Sequence, residues 1–282
     1  MDFTGRIKIM GIQVYYEYHR SNTSSPRYTF LLIHGFLANT FSFRKLVPNL
    51  MEQDDVYAID LIGFGKSEKA CPFRYSYENY GAMITQFITE LGLKNVILVG
   101  HSMGGQIVLQ TALRNSDMIT ALVLVSSSGY LQKAHWLAIV ASHLPFASLG
   151  VTWWMKRYRV KDILKKTFYN DKLIDDQMIR AYSDPILEKG FCDTLLGLLR
   201  HREGDMSPED LRRVHHDCLL IWGEEDEIVP LRKGVRLRQD LANSTLISLP
   251  EAGHQVIEEK PTEVTTSIQS WIEKHSHRWN KV

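Results

Sequence analysis

The stretch Val96–Gln110, VILVGHSMGGQIVLQ, decides how this chain is read. It opens on four consecutive apolar residues, suited to a strand buried on both faces, and closes on a helical pattern. Between them stands Gly100-His101-Ser102-Met103-Gly104-Gly105. A serine at a strand-to-helix junction, with glycine two residues before and two after, fits a nucleophile elbow. That is a sharp, strained turn that pushes the hydroxyl out into a site. The glycines are required because a side chain at either position would strike the neighbouring strand or helix. The helix that follows turns its free N–H groups toward any oxygen near the serine, which favours developing negative charge there.

The same rhythm extends outward. Tyr28–Ile33 (YTFLLI), Val56–Asp60, Asn95–Val99 and Ala121–Val125 are short apolar runs, each read as a buried strand. Between them, Tyr77, Tyr80, Ile84, Phe87, Ile88 and Leu91 recur at spacings of three and four, the apolar face of a helix. Strands alternating with helices predict an α/β fold, a mostly parallel sheet with helices on both faces. The opening IKIMGIQVYYEY reads instead as two strands around Gly11, an antiparallel hairpin at the sheet edge. After Val125 the alternation stops, and from Ser126 to about Pro208 only helical patterns occur. It resumes with Cys218–Trp222, a helix near Arg232–Leu241, the strand Thr245–Leu249 and a last helix over Pro261–His275. The expected organisation is an α/β core, residues 1–126 and 209–282, interrupted by a helical cap at 127–208.

Composition sets the outer bounds. In 282 residues, 44% hydrophobic and 23% charged, there is material for a sizeable core. A net charge of +1 argues against a nucleic-acid partner. Cys71, Cys192 and Cys218 are odd in number and scattered, so they form neither a disulfide framework nor a metal-site spacing. They are read as free thiols in a reducing compartment. The N-terminal MDFTGRIKIMGIQVYYEYHR has no apolar core of signal-peptide length, and a cytoplasmic location is expected. Oligomeric state leaves no mark on the sequence.

Parallel sheets bind ligands beyond the carboxyl ends of their strands. Ser102 follows Val96–Val99, and Asp226 follows Cys218–Trp222 through Gly223-Glu224-Glu225. His254 follows Thr245–Leu249 through Pro250-Glu251-Ala252-Gly253, and His34-Gly35-Phe36 follows Tyr28–Ile33. A nucleophile, an acid and a base on loops at one sheet edge make a hydrolytic triad. Glu224, Glu225 and Glu227 share the acid's loop and remain its rivals. No acid follows Val125, where SSSG stands.

Taken together, the His-Gly-Phe turn at 34–36, DLIGFGKS at 60–67, GHSMGG, WGEEDEIVP at 222–230 and EAGH at 251–254 resemble the α/β-hydrolase superfamily. The resemblance covers nearly the whole chain and keeps that family's order of Ser, Asp, His. It implies an eight-stranded, mostly parallel sheet, with no cofactor and no metal. It further implies Ser102 as nucleophile, His254 as proton acceptor and donor, and Asp226 as the group that orients the imidazole. The backbone N–H groups of Phe36 and Met103 would form the oxyanion hole. A serine nucleophile opens an acyl-enzyme route, whereas relatives that dehalogenate or open epoxides carry Asp there. The expected activity is a carboxylesterase acting on small-molecule esters with a hydrophobic acyl part.

Two other readings stay open. One is a carbon–carbon bond hydrolase of the meta-cleavage-product type. Members of that branch usually carry Asn before the serine and a cap arginine for the substrate's acid group. Here His101 precedes the serine, and only Arg180, in IRAYSDPIL, is near the cap motif. The other is a hydrolase-fold small-molecule receptor, whose elbow resembles GHSVS.

His34 is read as orienting its loop, and Asp60 as supporting the GFGKS turn. His215-His216-Asp217 looks like a metal cluster but precedes a strand, away from the site. The segment 134–155, AHWLAIVASHLPFASLGVTWWM, has no Asp, Glu, Lys or Arg over a length that could span a bilayer. His135, His143, Pro145 and Gly150 interrupt it, and cap helices lining an apolar acyl pocket are expected. Because Lys156, Arg157, Arg159, Lys161, Lys165 and Lys166 follow, weak peripheral contact of 134–166 with an anionic membrane is the alternative.

Overall fold

The computed structural model describes residues 2–69, 71–114, 116–157 and 159–279. Its strands are β1 (Asp2–Ile9), β2 (Ile12–His19), β3 (Thr29–Ile33), β4 (Asp55–Ile59), β5 (Val96–His101), β6 (Ile119–Val125), β7 (Cys218–Gly223) and β8 (Ser244–Leu249). They lie in one sheet in the order β1-β2-β4-β3-β5-β6-β7-β8. The β1–β2 and β2–β4 pairs are antiparallel and the others parallel. The edge hairpin turns at Met10 and Gly11, both with positive φ.

Side chains alternate across each strand, and both faces carry a core. Leu31, Ile33, Leu98, Leu122, Leu124 and Leu220 meet α2 (Tyr77–Glu90) and α3 (Met103–Arg114) on one face. Phe30, Leu32, Ile97, Val99, Val123 and Ile221 meet α12 (Pro261–Trp279) and the single turn α1 (Val47–Leu50) on the other. This explains why β5 reads as an unbroken apolar run: all six of its residues are buried. Helix α2 begins where Ser76 Oγ accepts the N–H of Asn79, and it buries Tyr77, Tyr80, Ile84, Phe87 and Ile88. Helix α12 runs past the His275 expected from the pattern. Trp279 packs on Tyr28 and Trp271 and donates its indole N–H to Asp217 at 2.8 Å, which extends the last turn. Helix α10 (Leu231–Asp240) and the turn α11 (Val256–Glu259) complete the core.

Between β6 and β7 the described residues hold helices and no strand: α4 (Trp136–Ser142), α5 (Ala147–Arg157), α6 (Val160–Lys165), α7 (Asp176–Leu187), α8 (Phe191–His201) and α9 (Pro208–Leu211). Polar links fasten this insertion to the core. Gln106 of α3 accepts the N–H of Met206 at 2.9 Å and donates to the Ser128 carbonyl at 2.7 Å. Asn39 donates to Ala181 O, and the Ser42 and Tyr182 hydroxyls meet at 2.8 Å. A small apolar cluster of Ala38, Leu164, Phe168, Met178 and Tyr182 fills the seam. Helices α4 and α5 meet at 104°, and no single described helix is long and apolar enough to cross a membrane.

Candidate active site

Ser102 sits at the end of β5 with φ +54°, a left-handed conformation that costs a non-glycine residue roughly 1–3 kcal/mol. The surroundings hold it there. Its N–H donates to Val125 O, and its carbonyl accepts the N–H groups of Gly105 and Ser128, all at 3.0 Å. A Cβ on Gly100 would sit 2.5 Å from Gly104 O, and one on Gly104 would run into the Ile33 carbonyl. Ser127 packs its hydroxyl against Gly105. The SSSG segment, conspicuous in the sequence only for lacking an acid, therefore forms the floor of the elbow.

Asp226 follows β7 in a loop pinned by Trp222, whose indole N–H donates to Val229 O at 2.7 Å. One Asp226 oxygen accepts the N–H groups of Ile228 (2.9 Å) and Val229 (2.8 Å). The other lies 2.8 Å from His254 Nδ1. The neighbouring glutamates point elsewhere: Glu225 accepts the N–H of Ala252, Glu224 accepts from Ser248 Oγ, and Glu227 is exposed. With Nδ1–H donated to the carboxylate, the lone pair of the His254 ring lies on Nε2. Asp226 and His254 are buried, while Ser102 is half-buried and lines the same cavity as His254. Phe36 borders that cavity, and Met103 borders a second one.

His101 was invisible as a functional residue beside the serine it precedes. Its Nε2–H donates to the His254 carbonyl at 2.9 Å, and the two rings lie 5.0 Å apart. Burial, reinforced by the neighbouring His254, lowers its pKa to about 3, so the ring is neutral. In the sequence it only marks this elbow off from those with Asn before the serine, and nothing there ties it to His254.

The residues read as structural act on loops. His34 Nε2 accepts the N–H of Leu61, Nδ1 donates to Gly35 O, and burial lowers its pKa to about 4. Asp60 accepts the N–H groups of Thr40 and Lys66, each at 2.7 Å, and burial pushes its pKa up to about 6. Asp217, of the His-His-Asp run, is taken by Trp279 and lies 3.6 Å from Arg278, at the far end of β7 from the site.

Two cavities flank Phe36. The smaller, about 190 Å³, holds Ser102 and His254 and is roofed by Val160, Ile163, Leu164 and Ile186, with no Asp, Glu, Lys or Arg in its wall among the described residues. The larger, about 490 Å³, runs from Phe36 and Met103 along Leu195, Leu196 and Leu199 of α8, with Arg202 the one charged wall residue among the described residues. One expectation needs correction. Of the described residues in the uncharged segment, only Ala134 and Val151 line this cavity, because most of its described large side chains face outward. Arg180 is exposed on α7 and lines neither cavity, whereas Arg202, unremarked in the sequence, does.

A strand-borne serine, a buried His–Asp pair and an apolar cavity above a left-handed elbow define a hydrolase site on a doubly covered α/β sheet. The chain belongs to the α/β-hydrolase family, whose sequence profile matches residues 28–261. It is 40% identical over 267 residues to the uncharacterized hydrolase YugF of Bacillus subtilis, covering 95% of this chain and 97% of that one. A 2-hydroxy-6-oxo-6-(2'-aminophenyl)hexa-2,4-dienoic acid hydrolase of Metapseudomonas resinovorans is 26% identical over 255 residues, covering 87% and 84%. In fold, an esterase from Exiguobacterium antarcticum superposes with a TM-score of 0.79 at 21% identity, covering 96% and 100%.

Proposed function

We propose that this hydrolase is a carboxylesterase that cleaves esters with a hydrophobic acyl part. Ser102 attacks the ester carbonyl after His254 Nε2 takes its proton. The same imidazole then hands that proton to the leaving alcohol, and Asp226 stabilises the imidazolium between the two steps. The backbone N–H groups of Phe36 and Met103 receive the negative oxygen of the tetrahedral intermediate. Water, activated by His254, hydrolyses the acyl-enzyme and restores the serine. The larger cavity takes the acyl chain, since about 490 Å³ falls within the roughly 300–1,000 Å³ of small-molecule sites.

The observation that carries this reading is the uncharged wall around Ser102 and His254. A carbon–carbon bond substrate brings a carboxylate that an apolar wall penalises, and Arg180 lies outside. Arg202 favours the second reading, a meta-cleavage-product hydrolase, because it places one cation at the larger cavity. Half-buried Asp205 interacts electrostatically with Arg202 and sets an opposing charge beside it.

Hydrolysis of chromogenic esters with short, medium and long acyl chains, with Ser102→Ala as the blank, tests the proposal. Serine-dependent turnover that rises with chain length supports it. A dienoic diketo acid turned over far faster than any ester would replace it with the second reading.

A further inference from the structure

Seven of the fifteen large apolar side chains exposed in the described residues lie between Trp136 and Trp153. Phe146, in the turn before α5, is 77% exposed, and Leu149 and Trp153, four residues apart on α5, are 63% and 68% exposed. Trp136 and Val140, four residues apart on α4, and Leu144 just beyond its end are exposed too. Both helices rest on α8, so their exposed faces turn away from a common support. Monomeric surfaces rarely leave so concentrated an apolar patch unpartnered.

Charge is distributed to match. In the sequence, residues 131–172 carry eight Lys or Arg against two Asp, a net of +6, which leaves −5 for the rest of a chain of +1. Arg159, Lys161, Lys165 and Lys166, directly beyond the hairpin, are exposed; Arg159 and Lys165 each lie near one exposed Asp. At seven and eleven residues neither helix alone is long enough to cross a bilayer, and although the pair is long and apolar enough together, it is bent by 104°. They suit the interfacial layer, where an apolar face enters the acyl boundary and flanking cations meet anionic headgroups.

We propose that the α4–α5 hairpin docks this protein on anionic membrane surfaces through Trp136, Phe146, Leu149 and Trp153. A second copy of the chain fits the same patch less well, because a two-fold contact would bring two segments of net +6 together. Docking also has a consequence that rests on the esterase reading. Val151, between Leu149 and Trp153, lines the larger cavity, so an acyl chain leaving the bilayer meets that cavity beside the docked face. The substrates would then be lipid esters held at the membrane surface.

The test is flotation of the full chain with vesicles of phosphatidylcholine alone and of phosphatidylcholine mixed with phosphatidylglycerol. At least about tenfold more protein should float with the anionic vesicles, and added salt should reduce the difference. The triple variant Phe146→Ser, Leu149→Ser, Trp153→Ser should lose flotation while hydrolysing a short water-soluble ester as before. Lys161→Glu with Lys165→Glu should lose the preference for anionic vesicles. Equal flotation of triple variant and wild type, or none of either, overturns the proposal. So does a wild-type dimer that the triple variant dissolves without any lipid binding. Flotation without ester hydrolysis leaves docking intact and removes the esterase reading alone.

Discussion

The elbow at Ser102 and the α4–α5 hairpin are both glycine-bearing junctions, yet they are built on opposite terms. The N–H and carbonyl of Ser102 are both engaged, and neighbouring backbone approaches so closely that Gly100 and Gly104 have no room for a methyl. Around Gly150 nothing lies within 4 Å of the position a Cβ would take, and the apolar side chains nearby face outward. The first region is over-determined by packing, which is what holds a non-glycine residue at positive φ. The second keeps its apolar surface uncovered, which stabilises nothing within the monomer.

The largest expected effect lies on the over-determined side. In Asp226→Asn, the N–H groups of Ile228 and Val229 hold the amide oxygen, so its NH₂ faces His254 Nδ1. Nδ1 must then accept, the proton moves to Nε2, and the base is lost. We expect ester turnover to fall by about 10⁴ with an unchanged melting temperature. A loss below tenfold in kcat would assign the acid's role to another group.

Next comes Gly104→Ala, whose Cβ runs into the Ile33 carbonyl, a backbone atom in the middle of the sheet that cannot step aside. Its cost should be at least about 3 kcal/mol, read as a lower urea midpoint. A near-neutral variant would mean that the elbow is less tightly determined than its geometry indicates.

The same contrast governs what could be read from the sequence. The elbow, the acid loop and the base loop were legible because strand, turn and spacing put Ser102, Asp226 and His254 at one sheet edge by chain order alone. Asp226 could be separated from three glutamates by family spacing, but only the loop N–H groups and His254 give the physical reason. His101 was not legible, since its bond to the His254 carbonyl joins residues 153 apart in sequence. The hairpin misled in another way. An uncharged run reads as core or pocket wall by hydropathy, and which side of a short helix is covered depends on α8, some forty residues later. Arg202 was missed for the same reason.

A smaller effect tests His101 as a support of the base. The ring stays neutral when folded, with a pKa of about 3 against 6.5 for a free histidine. Between those values the unfolded chain binds the extra proton, so this residue makes stability rise with pH across that window and adds no slope above it. His101→Gln keeps a donor for the His254 carbonyl but cannot titrate. Relative to wild type, the variant should lose stability less steeply on acidification. The difference should reach up to a few kcal/mol near pH 4, since each tenfold change in proton affinity is worth about 1.4 kcal/mol. Denaturant midpoints at several pH values check this. Parallel curves would mean that other groups, among them His34, set the acid limb.

The smallest effect belongs to the open region. Gly150 lies within α5, and a methyl there meets no neighbour. Glycine in an exposed helix interior costs roughly 0.8–1.0 kcal/mol relative to alanine. Gly150→Ala should therefore raise stability by up to about 1 kcal/mol, if α5 unfolds with the rest of the chain, and leave short-ester hydrolysis unchanged. A rise in urea midpoint would show the hairpin and the core unfolding as one unit. An unchanged midpoint together with slower proteolysis within residues 147–153 would instead show that the hairpin opens alone. The apolar face would then be held by its own helices, independently of the sheet that holds Ser102.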